Sequence, residues 1–427
     1  MAKKKEPAVL QNEPDDMVSK LYAGFTKSMK KVPNAVSNNK AIADVMYPTG
    51  FLALDYLNGT IVHVKSEEIN MSYRMIGIMD GCANTFISRP GCGKSTFCVQ
   101  AIGKHLKQWP QAMAYIDDIE GSLPLVRKEF LIDLPKEDMD RRVKIRNTGI
   151  TTENVYQQIR AIYNEKVSHR EDYLYDTGLY DTFGERIFKL YPTFYFIDSF
   201  AMLLPDDIMD KDELDGGMGA TQSAKKNTQL IKKMSQLLKE ANIVMYVINH
   251  IMDDVNNSIF HKQAQIDGLK EGERISGGRT ALYLANNMVR FDQGSTLKPT
   301  EGFYIDGAII YATVVKTRTN INKKKVPLIF NKTEGKFDEE LSLFQLLKEQ
   351  GKIGGAGAYL YLESCPDVKF AQKNFKDKLH ENTDLQLAFA TTCRETLEEF
   401  LSDTKREEAT GGFDINDMIL GMELNIA

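Results

Sequence analysis

The chain has little cysteine, and none of it is clustered. Its five cysteines, Cys82, Cys92, Cys98, Cys365 and Cys393, are scattered over 427 residues with no CxxC pair, which argues against a disulfide framework and against a structural zinc site. Reduced thiols are expected. No run approaches the ~18 apolar residues of a membrane span, and no apolar stretch follows the basic Met1-Ala2-Lys3-Lys4-Lys5-Glu6, so neither a transmembrane segment nor a secretory signal is expected. The expected location is the cytoplasm, or the host-cell cytoplasm if the chain is viral. An excess of positive charge is also missing. The net charge is -5, so the overall field does not advertise nucleic-acid binding. There are no internal repeats. What is present, 42% hydrophobic and 26% charged residues, is the composition of a globular protein, with length for roughly two or three folded units.

The order of patterns predicts an α/β protein. An amphipathic helix with Met17, Leu21, Phe25 and Met29 at four-residue spacing closes an N-terminal arm, residues 1-46. From 47 to 336, short apolar runs alternate with helix-period segments, as in a mainly parallel twisted sheet flanked by helices. Strands are predicted at Asn84-Ser88, Ala112-Ile116, Val143-Arg146, Phe194-Asp198, Ile243-Ile248 and Ile309-Lys316. Polar stretches at 165-190, 205-220 and 251-277 read as long functional or disordered loops. Residues 337-403 read as a small C-terminal α-rich domain, with Leu341, Phe344 and Leu347 on one helix and a glycine-rich turn at Gly354-Gly357. Residues 404-427 read as an acidic flexible tail.

The strand Asn84-Ser88 runs into Arg89-Pro90-Gly91-Cys92-Gly93-Lys94-Ser95-Thr96, and Phe97, Cys98, Ala101, Ile102 and Leu106 follow at helical spacing. Strand, glycine loop and helix make a phosphate cradle: the glycines let successive N–H groups point inward, and the helix adds its positive end. Lys94 suits the β and γ phosphates of ATP and Ser95 a Mg2+ ion. Ser88 stands where the usual pattern has its first glycine. Phe194-Tyr-Phe-Ile-Asp198 is the apolar strand ending in Asp that holds a metal-bound water, although an Asp capping the next element has the same local look. Ala112-Met-Ala-Tyr-Ile116 leads into Asp117-Asp118-Ile119-Glu120-Gly121-Ser122. A carboxylate on a strand next to the phosphate-loop strand suits a general base, which makes Glu120 the candidate.

Together these motifs resemble the RecA-like recombinases. Further segments match in family order: Thr49-Gly50-Phe-Leu-Ala-Leu54-Asp55, the polar pair Asn249-His250 at a strand end, Ser276-Gly277-Gly278, and Val315-Lys316-Thr317-Arg318. The Asn-His form is similar to that of phage UvsX-type recombinases. The resemblance spans residues 47-350. It implies a RecA-like P-loop ATPase core, ATP and Mg2+ as cofactors, and a catalytic role for Lys94 and Glu120. It implies that His250 senses the γ-phosphate, that Lys316 and Arg318 act in trans on a neighbouring protomer's ATP, and that Arg127 stacks on adenine.

The resemblance also implies a helical homo-oligomeric filament on single-stranded DNA that pairs it with homologous duplex, with a single-strand-binding protein or mediator as a further partner. The DNA-facing candidates fall in two of the long loops. In 205-220, six acidic residues stand against Lys211, so Gly217, Met218 and Gly219 are the useful part, with Met218 as a wedge between bases. Lys225 and Lys226 follow on the next helix. In 251-277 the candidates are Phe260, Lys262, Arg274, Gly277 and Gly278, an aromatic among basic residues suiting single-strand stacking. Two other readings remain open: a hexameric helicase on the same core, and a non-catalytic recombinase paralogue acting as mediator.

Overall fold

The computed structural model describes residues 44–209, 217–253, 268–276, 285–301, 305–317 and 324–401. The predicted N-terminal helix, the candidates Phe260, Lys262, Gly277, Gly278 and Arg318, and the tail 404-427 lie outside the described residues.

Among the described residues a central, mostly parallel sheet has ten strands, nine of them on one continuous path: β1 (Ala83–Ser88), β2 (Met113–Asp118), β3 (Val143–Arg146), β4 (Thr193–Asp198), β5 (Ile243–Asp253), β6 (Asn287–Leu297), β7 (Gly307–Lys316), β8 (Lys325–Asn331) and β9 (Lys336–Asp338), with Glu273–Ile275 pairing on β5 off that path. Their order is β9-β8-β7-β6-β1-β5-β4-β2-β3. The run from β6 to β3 is parallel throughout, and β7, β8 and β9 add antiparallel to the other end. Every residue of β4 is buried, as a central parallel strand covered on both faces requires.

Seven helices matter here: α1 (Leu52–Asn58), α2 (Lys94–Gln108), α3 (Leu125–Ile132), α4 (Thr152–Ser168), α5 (Gly217–Glu240), α6 (Glu339–Glu349) and α7 (Thr383–Leu401). Successive strand residues point to opposite faces, so β4 displays what covers each side. Tyr195 and Ile197 pack into a cluster with Val155 and Ile159 of α4 and Leu230, Met234 and Leu238 of α5. Phe194 instead stacks on His105 of α2, with ring centroids 4.1 Å apart. On α2, Phe97, Cys98, Ala101, Ile102 and Leu106 are all fully buried, as their spacing predicts.

The structure corrects several sequence expectations. The stretch 165-190 is not a loop: after a helical turn at Arg170–Tyr173 it forms a hairpin, Leu174–Tyr180 with Arg186–Leu190. The stretch 251-277 begins and ends as strand, because Ile251, Met252 and Asp253 of β5 pair antiparallel with Glu273–Ile275. Gly217, Met218 and Gly219 open α5 rather than sitting in a loop. In the C-terminal part, Ile353–Gly354, Leu360–Leu362 and Cys365–Phe370 add a three-stranded sheet beside α6 and α7. All five cysteines are free. Among the described residues, no helix is long and apolar enough to cross a membrane.

The Thr49–Asp55 motif acts as a staple at the start of α1. The buried Asp55 carboxylate accepts from Thr49 N at 2.9 Å, Thr49 Oγ1 at 2.7 Å and Gly50 N at 3.1 Å. Glu339, at the start of α6, accepts from Leu52 N at 2.7 Å, which ties the C-terminal segment to the same turn.

Candidate functional site

The order of the parallel strands fixes where a ligand can sit. The chain leaves β1 for β2 on one side of it and reaches β6 on the other, so strand order reverses at β1, and crevices of this kind open at the carboxyl ends of the strands. Of the sequence-predicted residues, Lys94, Ser95, Glu120, Asp198 and His250 gather at that edge.

Between β1 and α2, Gly91 (φ 82°) and Gly93 (φ 76°) are left-handed, a conformation that costs any other residue. At Gly93 there is no room either: a Cβ there would lie 2.9 Å from Cζ of Phe337 on β9. Gly93 caps α2, so the free N–H groups of the first turn face the loop. The Lys94 side chain is buried, and burial pulls its pKa below the usual lysine value. Its Nζ donates to Ser88 Oγ at 2.7 Å. Ser88, a departure from the usual glycine pattern, is thus the side chain that holds the lysine in the loop. Thr96 is buried in the first turn of α2.

Asp198 ends β4, beyond Ile197. Its Oδ2 accepts from Ser95 Oγ at 2.5 Å and from Ser122 Oγ at 3.1 Å, while its buried Oδ1 has no hydrogen-bond partner. Burial raises the Asp198 pKa, the neighbouring Glu120 charge adds to the rise, and the Ser95 and Ser122 hydroxyls oppose it. An under-coordinated buried carboxylate beside a serine hydroxyl at the mouth of the glycine loop fits a divalent cation bound through water. Ser95 and Asp198 would hold Mg2+ there.

Glu120 reaches the same point, though not from a neighbouring strand as the sequence reading expects: β5 and β4 lie between β1 and β2. The turn after β2 bridges the gap. Ile119 N and Glu120 N donate to Asp198 O at 2.7 and 3.0 Å. Asp118 Oδ1 takes Gly121 N at 2.8 Å and Ser122 N at 3.3 Å, and Lys128 Nζ donates to Asp118 Oδ2 at 2.5 Å. Asp117 and Asp118 are buried, each with a cationic partner, Arg146 and Lys128. His250, paired in register with Ser88, donates from Nε2 to Glu120 Oε2 at 3.0 Å. One ligand atom each from Glu120, Asp198 and His250 lies within 4.8 Å of the others.

Other candidates sit further out. Arg89 pairs with Asp253 at 2.5 Å and Glu273 at 3.7 Å, linking the glycine loop to the two strands that bracket residues 254-272. Arg127 lies against Phe130, 5.0 Å from its centroid, and its Nη1 donates to Glu334 O at 3.3 Å, beside the turn that leads into β9. Lys316 closes β7 opposite Met288. Lys225 and Arg274 are exposed. Lys226 is held by Asp207 at 2.6 Å and Glu153 at 2.9 Å, so its charge is already shared. Sequence reasoning gave no role to Ser88, Ser122, Lys128 or Phe337; their contributions are tertiary, and no short spacing signals them.

No family model and no curated protein matches this chain.

Proposed function

We propose that this chain is an ATP-hydrolysing homologous recombinase with a RecA-like P-loop core, which assembles as a filament on single-stranded DNA and pairs it with homologous duplex. The observation that carries the catalytic half is the convergence, at one edge of the sheet, of Lys94 and Ser95 at the start of α2, Glu120 in the turn after β2, Asp198 at the end of β4 and His250 on β5. Phosphoryl transfer needs little covalent chemistry from a protein and depends on positioning and charge. The glycine loop and Lys94 bind the phosphates. Mg2+, when bound, neutralises charge developing on the phosphate oxygens. Glu120 accepts a proton from the attacking water as its oxygen bonds to the terminal phosphorus and the bond to the β-phosphate oxygen breaks, leaving ADP.

The DNA half rests on the family resemblance and on placement. The segment 205-220 follows the carboxyl end of β4, and 251-277 begins in the last residues of β5. Both candidate DNA segments therefore depart from the edge where nucleotide would bind, so occupancy of one can bias the other.

The test is electron microscopy of the protein with ATPγS and long single-stranded DNA, beside ATPase assays with and without DNA. Helical filaments and DNA-stimulated turnover that Lys94→Ala abolishes are expected. Closed rings, or hydrolysis indifferent to DNA, would favour a helicase or other motor and remove the recombinase reading.

A further inference from the structure

Glu120, Asp198 and His250 meet at the carboxyl edge of the sheet on backbone that is already tied together. Ile119 N and Glu120 N donate to Asp198 O, so the two carboxylate-bearing segments move as one. His250 lies in register with Ser88 of β1, and its N–H donates to Asn249 Oδ1 at 2.9 Å. Asp198 is 1% exposed, and Ser95 and Ser122 both donate to its Oδ2, which leaves the buried Oδ1 without a partner. Ligating carboxylates are commonly oriented by hydrogen bonds of this kind. Lys94 Nζ is turned to Ser88 Oγ at 2.7 Å, and two carboxylates that share a site repel unless a cation relieves them.

The spacing suits one ion. Around a metal about 2.1 Å from each ligand, neighbouring ligand atoms lie about 3.0–3.4 Å apart. His250 Nε2 and Glu120 Oε2 are already at 3.0 Å. With its ring proton on Nδ1, the imidazole presents a lone pair at Nε2. One ligand atom from each of the three residues lies within 4.8 Å of the others, a span that rotation of the Glu120 side chain can close. That side chain is 36% exposed and His250 is 22% exposed, which leaves an ion a path inward.

We propose that Glu120, Asp198 and His250 form a binding site for a divalent transition ion of the Zn2+ or Mn2+ class in the nucleotide-free protein. The imidazole sets the class, because nitrogen suits first-row transition ions whereas Mg2+ keeps to oxygen ligands. An ion there occupies a lone pair of Glu120 and so idles the candidate base. That consequence rests on the proposed hydrolysis of ATP; the binding itself does not.

The experiment is an electron paramagnetic resonance titration of the nucleotide-free full chain with Mn2+, followed by spin-echo detection of the nitrogen coupling that a ligating imidazole imposes. Mn2+ is the probe because free thiols take Zn2+. A bound ion that carries the nitrogen coupling and is retained against about a hundredfold excess of Mg2+ is expected. His250→Ala and His250→Gln should each lose the coupling, and His250→Ala and Glu120→Gln should each weaken Mn2+ binding more than about tenfold. No binding, a bound ion without the coupling, displacement by Mg2+, or a coupling that survives in His250→Ala would overturn the site. The first three are read on the wild type and need no variant to fold. Nucleotide is absent throughout, so failure here leaves the ATPase reading standing, and a chain that does not hydrolyse ATP leaves the metal site standing.

Discussion

Lys128 and Asp118 form a buried ion pair, Nζ to Oδ2 at 2.5 Å, directly behind the turn that presents Glu120. Lys128 also donates to Leu123 O at 2.5 Å, at the far side of that turn. The pair therefore fixes both ends of the segment from which the candidate base projects.

Removing one partner of such a pair leaves a buried charge uncompensated, at a cost of about 3–5 kcal/mol. Lys128→Met should lose that much stability in urea unfolding, and because the turn loosens, turnover should fall more than about tenfold while nucleotide affinity moves far less. Replacing both partners, Lys128→Met with Asp118→Leu, should recover part of the stability, the rest being lost because Gly121 N and Ser122 N are left without their acceptor, and none of the turnover. A double variant with normal turnover would show that the pair does not position Glu120.

The two loop glycines should respond differently to the same substitution. Both have positive φ, so alanine is strained by about 1–2 kcal/mol at either. At Gly91 a Cβ meets nothing within 4 Å, whereas at Gly93 it meets Phe337 at 2.9 Å. Thermal unfolding should show Gly93→Ala the more destabilised, with weaker nucleotide binding as α2 is pushed from β9. Equal effects at the two sites would mean that Phe337 yields without cost.

These residues also mark what the sequence can tell. The glycine turn before α2, β4 and α2 itself are legible because their signals are local: a glycine pattern, an unbroken apolar run, and a three-to-four spacing. β5 runs five residues past its predicted end: Asn249 and His250 look like loop but pair with Ile87 and Ser88 of β1, and Ile251, Met252 and Asp253 are strand through pairing with residues 273–275. β6 is not legible as a core strand because it contains Arg290, whose charge is buried against Glu273 at 2.6 Å and Asp292 at 2.7 Å. The hairpin at 174–190 is polar along much of its length, so its composition resembles a loop. Strand order is the deepest omission. Nothing in the run Ala112-Ile116 says that two strands separate it from β1, or that Glu120 is brought back by hydrogen bonds to Asp198 O.

Lys316, which ends β7, and Arg318 give a test that separates action within a protomer from action between protomers. If Lys316 and Arg318 serve a neighbour's nucleotide, Lys316→Ala/Arg318→Ala should bind nucleotide and not turn over. Lys94→Ala should be silent for the opposite reason. Mixed in equal amounts, the two inactive proteins form interfaces in which an intact nucleotide site faces intact cations about a quarter of the time by random assembly through a repeating head-to-tail contact. Roughly that fraction of wild-type activity should return. A mixture as silent as its components would place the cations in their own protomer's site, or outside catalysis.

Lys166 carries the clearest pH dependence. It lies near the end of α4, is almost fully buried, and donates from Nζ to Tyr191 O at 2.6 Å and Ala241 O at 2.9 Å, just before β4 and β5 begin. Burial alone lowers its pKa to about 7, against about 10.4 in an unfolded chain. Between those values the unfolded chain binds more protons, so stability rises with pH. The penalty for a charged, buried ammonium is present in full below pH 7 and is relieved as the pH climbs above it. Lys166→Met, of similar length and without charge, removes this dependence. Measured by urea unfolding, the stability of the variant relative to wild type should therefore be more favourable at pH 6 than at pH 9, by about 2–3 kcal/mol for the roughly two pH units spanned above 7. Carbonyls left without a donor at Tyr191 and Ala241 cost the variant equally at both pH values, so they cancel in the comparison. An identical difference at pH 6 and pH 9 would mean that Lys166 stays charged in the folded protein, with its two carbonyl acceptors stabilising the ammonium as well as water does.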